Sequence, residues 1–321
     1  MGEIIQLDML TVSAFEPPLR DNRDVMEFPF LSLQKKRTVP IEFSNRNIHV
    51  SVAADSRFSI ATIWDWDLIL FAASHLNDAI ENSGKAAPRI RFAPHDALRQ
   101  MRRSTGGKDY RELAQAIRRL RMTTVITNIR FDDGAGEERP FSWLSDYAIP
   151  KRYTSSVMTP EQPDGEADPS RPWEIELPPW LYKAVLRQRE ILAVHPDYFN
   201  LTGGIERWLY RLARKAVPDK ADIPAIGFHM DTLFERSGLT GRLRKFRAKL
   251  EEIAEKQLLP EYDIVISRDK RHEMVTLVRN RLKPKRLPRG VPKLSIDVAA
   301  RNDARPDARF RSVLGARFLR L

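Results

Sequence analysis

The histidines, His49, His75, His95, His195, His229 and His272, are the residues that would hold a metal in a nicking enzyme with a tyrosine nucleophile, and no two stand two positions apart. The His-hydrophobe-His pair of that chemistry is missing. Gly106-Gly107-Lys108 has the look of a phosphate loop, but the upstream glycine is missing and Asp109 stands where Ser or Thr would reach magnesium. It reads as a turn. Asp132, Asp133, Glu137 and Glu138 offer carboxylates for a divalent ion, yet a glycine-rich turn is a poor cage, so a solvated hairpin is preferred. Asp65 and Asp67, two apart on a helix, point to different faces and cannot act as a pair. Cysteine is absent, which removes thiolate nucleophiles, disulfides, zinc fingers and iron–sulfur ligation. The reading is a non-enzymatic protein with no catalytic, cofactor-binding or metal residues.

What remains is cationic chemistry. The 321 residues carry 54 Lys and Arg against 43 Asp and Glu, a formal charge of +11, which favours an anionic partner such as nucleic acid or a membrane surface. From Arg281 to Leu321 there are 12 basic and 3 acidic residues, so this stretch supplies +9 of that charge. Local runs say more about the folded part. Arg99 to Arg121 holds 8 basic residues against Asp109 and Glu112, and Arg236 to Lys249 holds 6 with no acid. The most apolar window, Ile60 to Ala73, is interrupted by Asp65 and Asp67 and falls short of the roughly 20 residues of a membrane span. The start of the chain lacks a basic stretch ahead of an apolar one, so a soluble, cytoplasmic protein is expected.

The elements that would position these cations follow from periodicity. Ile63, Trp66, Leu70, Ala73 and Ile80 recur at helical spacing behind Thr62, a candidate N-cap. A short helix over His95–Arg102, a turn at Ser104–Gly107 and a helix over Asp109–Arg121 follow, the last with Tyr110, Leu113, Ile117 and Leu120 on one face. The period then drops to two at Val125, Thr127, Ile129 and Phe131, and again at Phe141, Trp143, Tyr147 and Ile149. An upstream strand at Ile48, Val50 and Val52 would complete the sheet. The second half repeats the order: a helix over Ile205–Ala216, a short helix over His229–Arg236 and a turn at Ser237–Gly241. A basic helix with the stripe Leu243, Phe246, Leu250 and Ile253 comes next, then strands near Tyr262–Ile266 and Met274–Val278 around a turn at Arg268–His272.

This layout predicts a mainly α protein with small antiparallel β hairpins (α+β), built as two tandem winged-helix (helix-turn-helix) domains. The expected boundaries are a leader at 1–24, a first domain at 25–155, an acidic Pro-rich linker at 156–172, a second domain at 173–286 and a basic, mostly disordered tail at 287–321. Double-stranded DNA is the expected partner, since Arg on a helix in the major groove can bond guanine in a bidentate way and every neutralised phosphate releases counterions. In the second domain Ser237, Thr240, Arg242, Arg244, Lys245 and Lys249 are the candidate contacts, with Arg268, Lys270 and Arg271 on the wing. Arg102, Arg103, Lys108, Arg111, Arg118 and Arg119 are the analogues in the first, whose wing is acidic and would be repelled by phosphate. For any one of these charges a solvated helix face is the alternative, and for the hydroxyls a capping role.

The chain also resembles the replication initiator protein A group of alphaproteobacterial plasmids from about Phe28 to Arg286. The resemblance is carried by Phe28-Pro29-Phe30-Leu31-Ser32-Leu33, by Ser56–Ser74 around Ile60-Ala61-Thr62-Ile63-Trp64-Asp65, by Trp173–Leu181 and by Asp197–Lys215 around Leu201-Thr202-Gly203-Gly204. It implies an initiator that binds repeated sites at a plasmid origin, helps melt adjacent DNA and recruits the host replication initiator and replicative helicase. It also implies monomers on origin repeats and a homodimer, formed by the first domain, that represses its own gene. A transcriptional repressor is the alternative reading.

Overall fold

The computed structural model describes residues 4–12, 14–45, 48–129, 140–153, 171–217, 224–268 and 273–280. The acidic hairpin turn at 132–138, nearly all of the segment 156–172, Lys270, Arg271 and the tail 287–321 lie outside the described residues. In chain order the elements open with short strands β1 (Ile5–Gln6), β2 (Leu10–Thr11) and β3 (Arg20–Asn22), then β4 (Ile41–Ser44) and β5 (His49–Ala54). Next come α1 (Trp66–Ser83), β6 (Lys85–Ala86), β7 (Arg89–Phe92), α2 (Pro94–Gln100), α3 (Gly107–Met122), β8 (Thr123–Thr127), β9 (Phe141–Ser142) and β10 (Asp146–Ala148). The remainder is β11 (Trp173–Glu176), α4 (Pro179–Leu186), β12 (Ile191–Ala193), α5 (Gly204–Ala216), β13 (Ala225–His229), α6 (Met230–Arg236), α7 (Leu243–Lys256), β14 (Tyr262–Arg268) and β15 (Glu273–Arg279). This is a mixed α/β protein with several small, mostly antiparallel sheets.

The strongest periodic signals land where the sequence places them. The N-cap of α1 is Asp65 rather than Thr62, which closes the turn just ahead of it: Thr62 Oγ1 accepts from the Asp65 amide at 3.2 Å, and the Asp65 carboxylate accepts from the Thr62 amide at 2.8 Å. The α3 face of Tyr110, Leu113, Ile117 and Leu120 is buried. The upstream strand does complete the first sheet, because β5 pairs with β8 with Val50 opposite Thr127 and Val52 opposite Val125. In the second half the three strands run in the order β13-β15-β14, against which α6 and α7 pack. β13 carries no clear alternation and is absent from the sequence reading.

Three expectations change. The strand read over Phe141–Ile149 is two strands: Phe141 pairs with Val125 on β8, whereas Asp146–Ala148 pairs with β11 in another sheet. The break lies at Trp143 and Leu144, both buried, where Trp143 packs edge-on against Trp66 at 5.0 Å. Trp173–Glu176, placed by sequence at the head of the second domain, is a strand between β10 and β7 of the first half. Its Trp173 and Ile175 are buried, while Glu174 pairs with Arg91 at 2.6 Å and Glu176 with Arg89 at 2.6 Å across the strands. The nominal leader is likewise structural, since β3 pairs with β12 and Asp21 is buried.

The described residues up to Arg279 belong to one compact unit, and its interior holds charge as well as hydrocarbon. Asp67 accepts from Arg207 at 2.5 Å and from Arg103 at 3.0 Å, so one buried carboxylate binds a guanidinium from each half. Asp21 takes Arg211 at 2.6 Å and the Trp66 indole at 2.8 Å. Asp65 takes Arg119 through both oxygens, at 2.7 and 2.8 Å. Burial alone pulls Arg207 and Arg119 down, but Asp67 and Asp65 outweigh it and hold both guanidiniums above their ordinary value. Removing one partner of such a set strands the other's charge. Asp67→Asn is expected to lower the unfolding free energy by about 3–5 kcal/mol in urea titrations.

His75 lies beneath Phe71, its ring 4.6 Å away, and shares a 2.9 Å hydrogen bond with Gln100. Burial pushes its pKa below the ordinary value, against the weaker pull of Gln100. The unfolded chain therefore takes up a proton that the folded one resists, and the stability His75 contributes above about pH 6.5 is lost as pH falls. Melting temperature is expected to drop between pH 7.5 and 5.5, and to drop less in His75→Gln.

Candidate nucleic-acid interface

Helix α7 is built to be half buried. Phe246, Leu250 and Ile253 are buried in the core, the Phe246 ring tilted against that of Phe234 of α6 at 5.3 Å, which leaves the rest of the surface to charge. The charge is segregated along the axis. Arg242 at the N-cap and Arg244 and Lys245 in the first turn are exposed, and none has an ion-pair partner among the described residues. Further along, every cation is paired. Arg247 meets Glu273 at 2.6 Å, Lys249 meets Glu252 at 2.9 Å, and Lys256 meets Glu252 at 2.7 Å. The two lysines hold the Glu252 carboxyl down to about 2.

The free cations sit against the helix dipole, whose N-terminus carries partial positive charge and favours acids. Helices α1, α2, α3, α5 and α6 obey that preference with Asp67, Asp96, Asp109, Glu206 and Asp231 in their first turns. Helix α7, like α4, has no acid there. Its first amide groups and its unpaired cations together form an anion-seeking end.

The turn ahead of α7 is set by the other half of the molecule. Gly238 has φ +63°, and a Cβ there would lie 2.6 Å from Pro29 Cβ and 3.1 Å from an Ile41 methyl. Its carbonyl accepts from the buried Arg37 guanidinium. Ser237 is buried, its hydroxyl donating to Phe234 O at 2.6 Å and accepting from the Leu239 amide at 3.2 Å. Thr240 is exposed.

The residues singled out by sequence therefore separate. Arg242, Arg244, Lys245 and Thr240 form one exposed group. Ser237 leaves the interface because its hydroxyl builds the turn. Lys249 and Arg268 are tied to acids, Arg268 to Glu251 and Glu273 at 2.5 Å each. In the first half Lys108 and Arg111 are exposed without an ion pair among the described residues, and Arg118 lies over the Phe58 ring at 5.1 Å. Arg102 pairs with Glu16 at 3.1 Å. Arg103 and Arg119 also leave the interface: Arg103 donates to Trp64 O and Asp67, Arg119 clamps Asp65, and both serve the core. Lys270 and Arg271 lie outside the described residues. Among those residues no helix is long and apolar enough to cross a membrane, and no cluster of three or more His, Asp or Glu is placed to hold a metal ion.

A model of the family described as replication initiator protein A matches residues 20–264. The chain belongs to that family. It is a DNA replication initiator by family, and a curated protein of Wigglesworthia glossinidia brevipalpis, whose name assigns it provisionally to replication, is 29% identical over 267 residues, spanning 82% of this chain and 88% of that protein. In fold the initiator is similar to crystal structures of domains 2 and 3 of RctB. One, a selenomethionine derivative, aligns with a TM-score of 0.52 at 11% identity over 77% of this chain and 92% of that one. Another aligns with a TM-score of 0.51, also at 11% identity, over 80% and 97%.

The packing of Gly238 against Pro29 gives a direct test of how the turn before α7 is held. Gly238→Ala forces a side chain into left-handed backbone and into Pro29, and is expected to cost about 1–3 kcal/mol in urea denaturation.

Proposed function

We propose that the initiator is a pair of winged helices that binds repeated duplex sites at a plasmid origin, with α7 as the reading helix of the second. The element order α5, β13, α6, α7, β14, β15 and the strand order β13-β15-β14 support that reading of the second half. For the first half the support is the order α1, α2, α3, β8, β9. The single observation that carries the DNA contact is the exposed, unpaired trio Arg242, Arg244 and Lys245 on a helix whose other cations are all neutralised. A polyanion supplies the counter-charge the protein withholds. Local melting of the origin, recruitment of the host initiator and helicase, and a repressing homodimer are proposed from the family alone. The reading is of a protein that works by binding and recruitment, without catalysis and without a cofactor.

Replacing Arg242, Arg244 and Lys245 together with Ala is expected to weaken binding to a duplex from the DNA flanking the gene. The log–log salt slope should fall by about one per lost phosphate contact, and melting temperature should be unchanged. An unchanged slope would reject the assignment. A host lacking the gene separates initiator from repressor, because a marker plasmid carrying the origin should replicate only when the intact protein is supplied.

A further inference from the structure

The loop that joins Leu33 to β4 is pinned at both ends. The Ser32 amide donates to Ala61 O at 2.9 Å, and the Ile60 amide donates to Arg37 O at 2.7 Å. The Arg37 side chain is buried and holds the loop's own Val39 and Pro40 carbonyls at 2.8 and 2.9 Å, together with the Gly238 carbonyl. Gly238 stands four residues before Arg242, so this loop of the first half lies directly against the turn that leads into α7. Its exposed residues include Lys35 and Lys36 beside Thr38, Val39 and Pro40, and neither lysine has an ion-pair partner among the described residues.

Both touching segments lack acids: residues 28–41 and residues 236–250 contain no Asp or Glu. Acids from outside both segments match Arg236, Arg247 and Lys249, through Glu27, Glu273 and Glu252, but Lys35, Lys36, Arg242, Arg244 and Lys245 have no ion-pair partner among the described residues. An external polyanion is the counter-charge such a surface lacks. We infer that Lys35 and Lys36 are a further DNA contact, gripping backbone phosphates beside the stretch of groove that α7 enters. The inference rests on α7 being the reading helix. Phosphate contacts by lysine position a protein on the duplex and carry no base preference. The pair therefore extends the footprint without altering which sequence is read.

The test uses the full chain and the same duplex, with a scrambled duplex of equal length, titrated across salt. Lys35→Ala/Lys36→Ala should lower the log–log slope by about two on both duplexes and leave the ratio of their affinities intact. A charge-matched variant at two other exposed lysines, Lys85→Ala/Lys183→Ala, should leave the slope unchanged. Melting temperatures of all variants should agree with that of the parent. A slope untouched by the Lys35/Lys36 change, or lowered equally by the control pair, would overturn the inference while the α7 variant still flattens the slope. If the α7 variant also leaves the slope unchanged, it is the reading helix itself that fails.

Discussion

A carboxylate in the interior of a protein must be matched by positive charge, because desolvating it alone costs several kcal/mol. Asp67 meets that demand with Arg103 from the first half and Arg207 from the second, and Asp21 on β3 meets it with Arg211 of α5. These pairs are weak evidence for stability, since well-packed hydrocarbon of the same volume often does as well. Their value lies in geometry. A bidentate or doubly shared guanidinium fixes direction as well as distance, and it places α1 and α5 in a single relative orientation. Everything exposed on α3 and α7 inherits its position from that arrangement.

Charge is sorted by this interior. Adjacent arginines on α3 have opposite fates: Arg119 turns in to Asp65, while Arg118 stays out over Phe58. On α7, Glu252 of the helix itself and Glu273 of β15 neutralise the cations of its middle and end and leave its beginning bare. The formal charge of the chain says nothing of this, because pairing rather than number decides which cations face outward. Arg207 and Arg211, on a helix read from its apolar stripe alone, prove to be core residues.

The long amphipathic elements were legible because each buries one face over several turns, and α1, α3, α5 and α7 follow the spacing of their large apolar side chains. The hairpin of β14 and β15 and the pairing of β5 with β8 were legible from alternation. The short strands β7 and β11 were not. Their signal is an exchange of Arg89 and Arg91 with Glu174 and Glu176, polar residues more than 80 positions apart that look solvated when read singly. For the same reason the buried roles of Asp65 and Asp67 escaped notice. The partners that explain them lie 54 and 140 positions away. At the candidate interface the free trio on α7 was within reach of sequence, whereas the loop at Lys35 and Lys36 was not, since only folding lays it beside Gly238.

Gly238 has a mechanical consequence. With Pro29 and Ile41 pressed against it, the turn before α7 rests on the sheet of the opposite half instead of hanging from a flexible joint. A load applied along that helix is delivered to a braced frame. Duplex DNA, with a persistence length of about 150 bp but easily kinked steps, is the more compliant body of the two. If α7 enters a groove as proposed, a mismatch in shape falls on the nucleic acid before the protein.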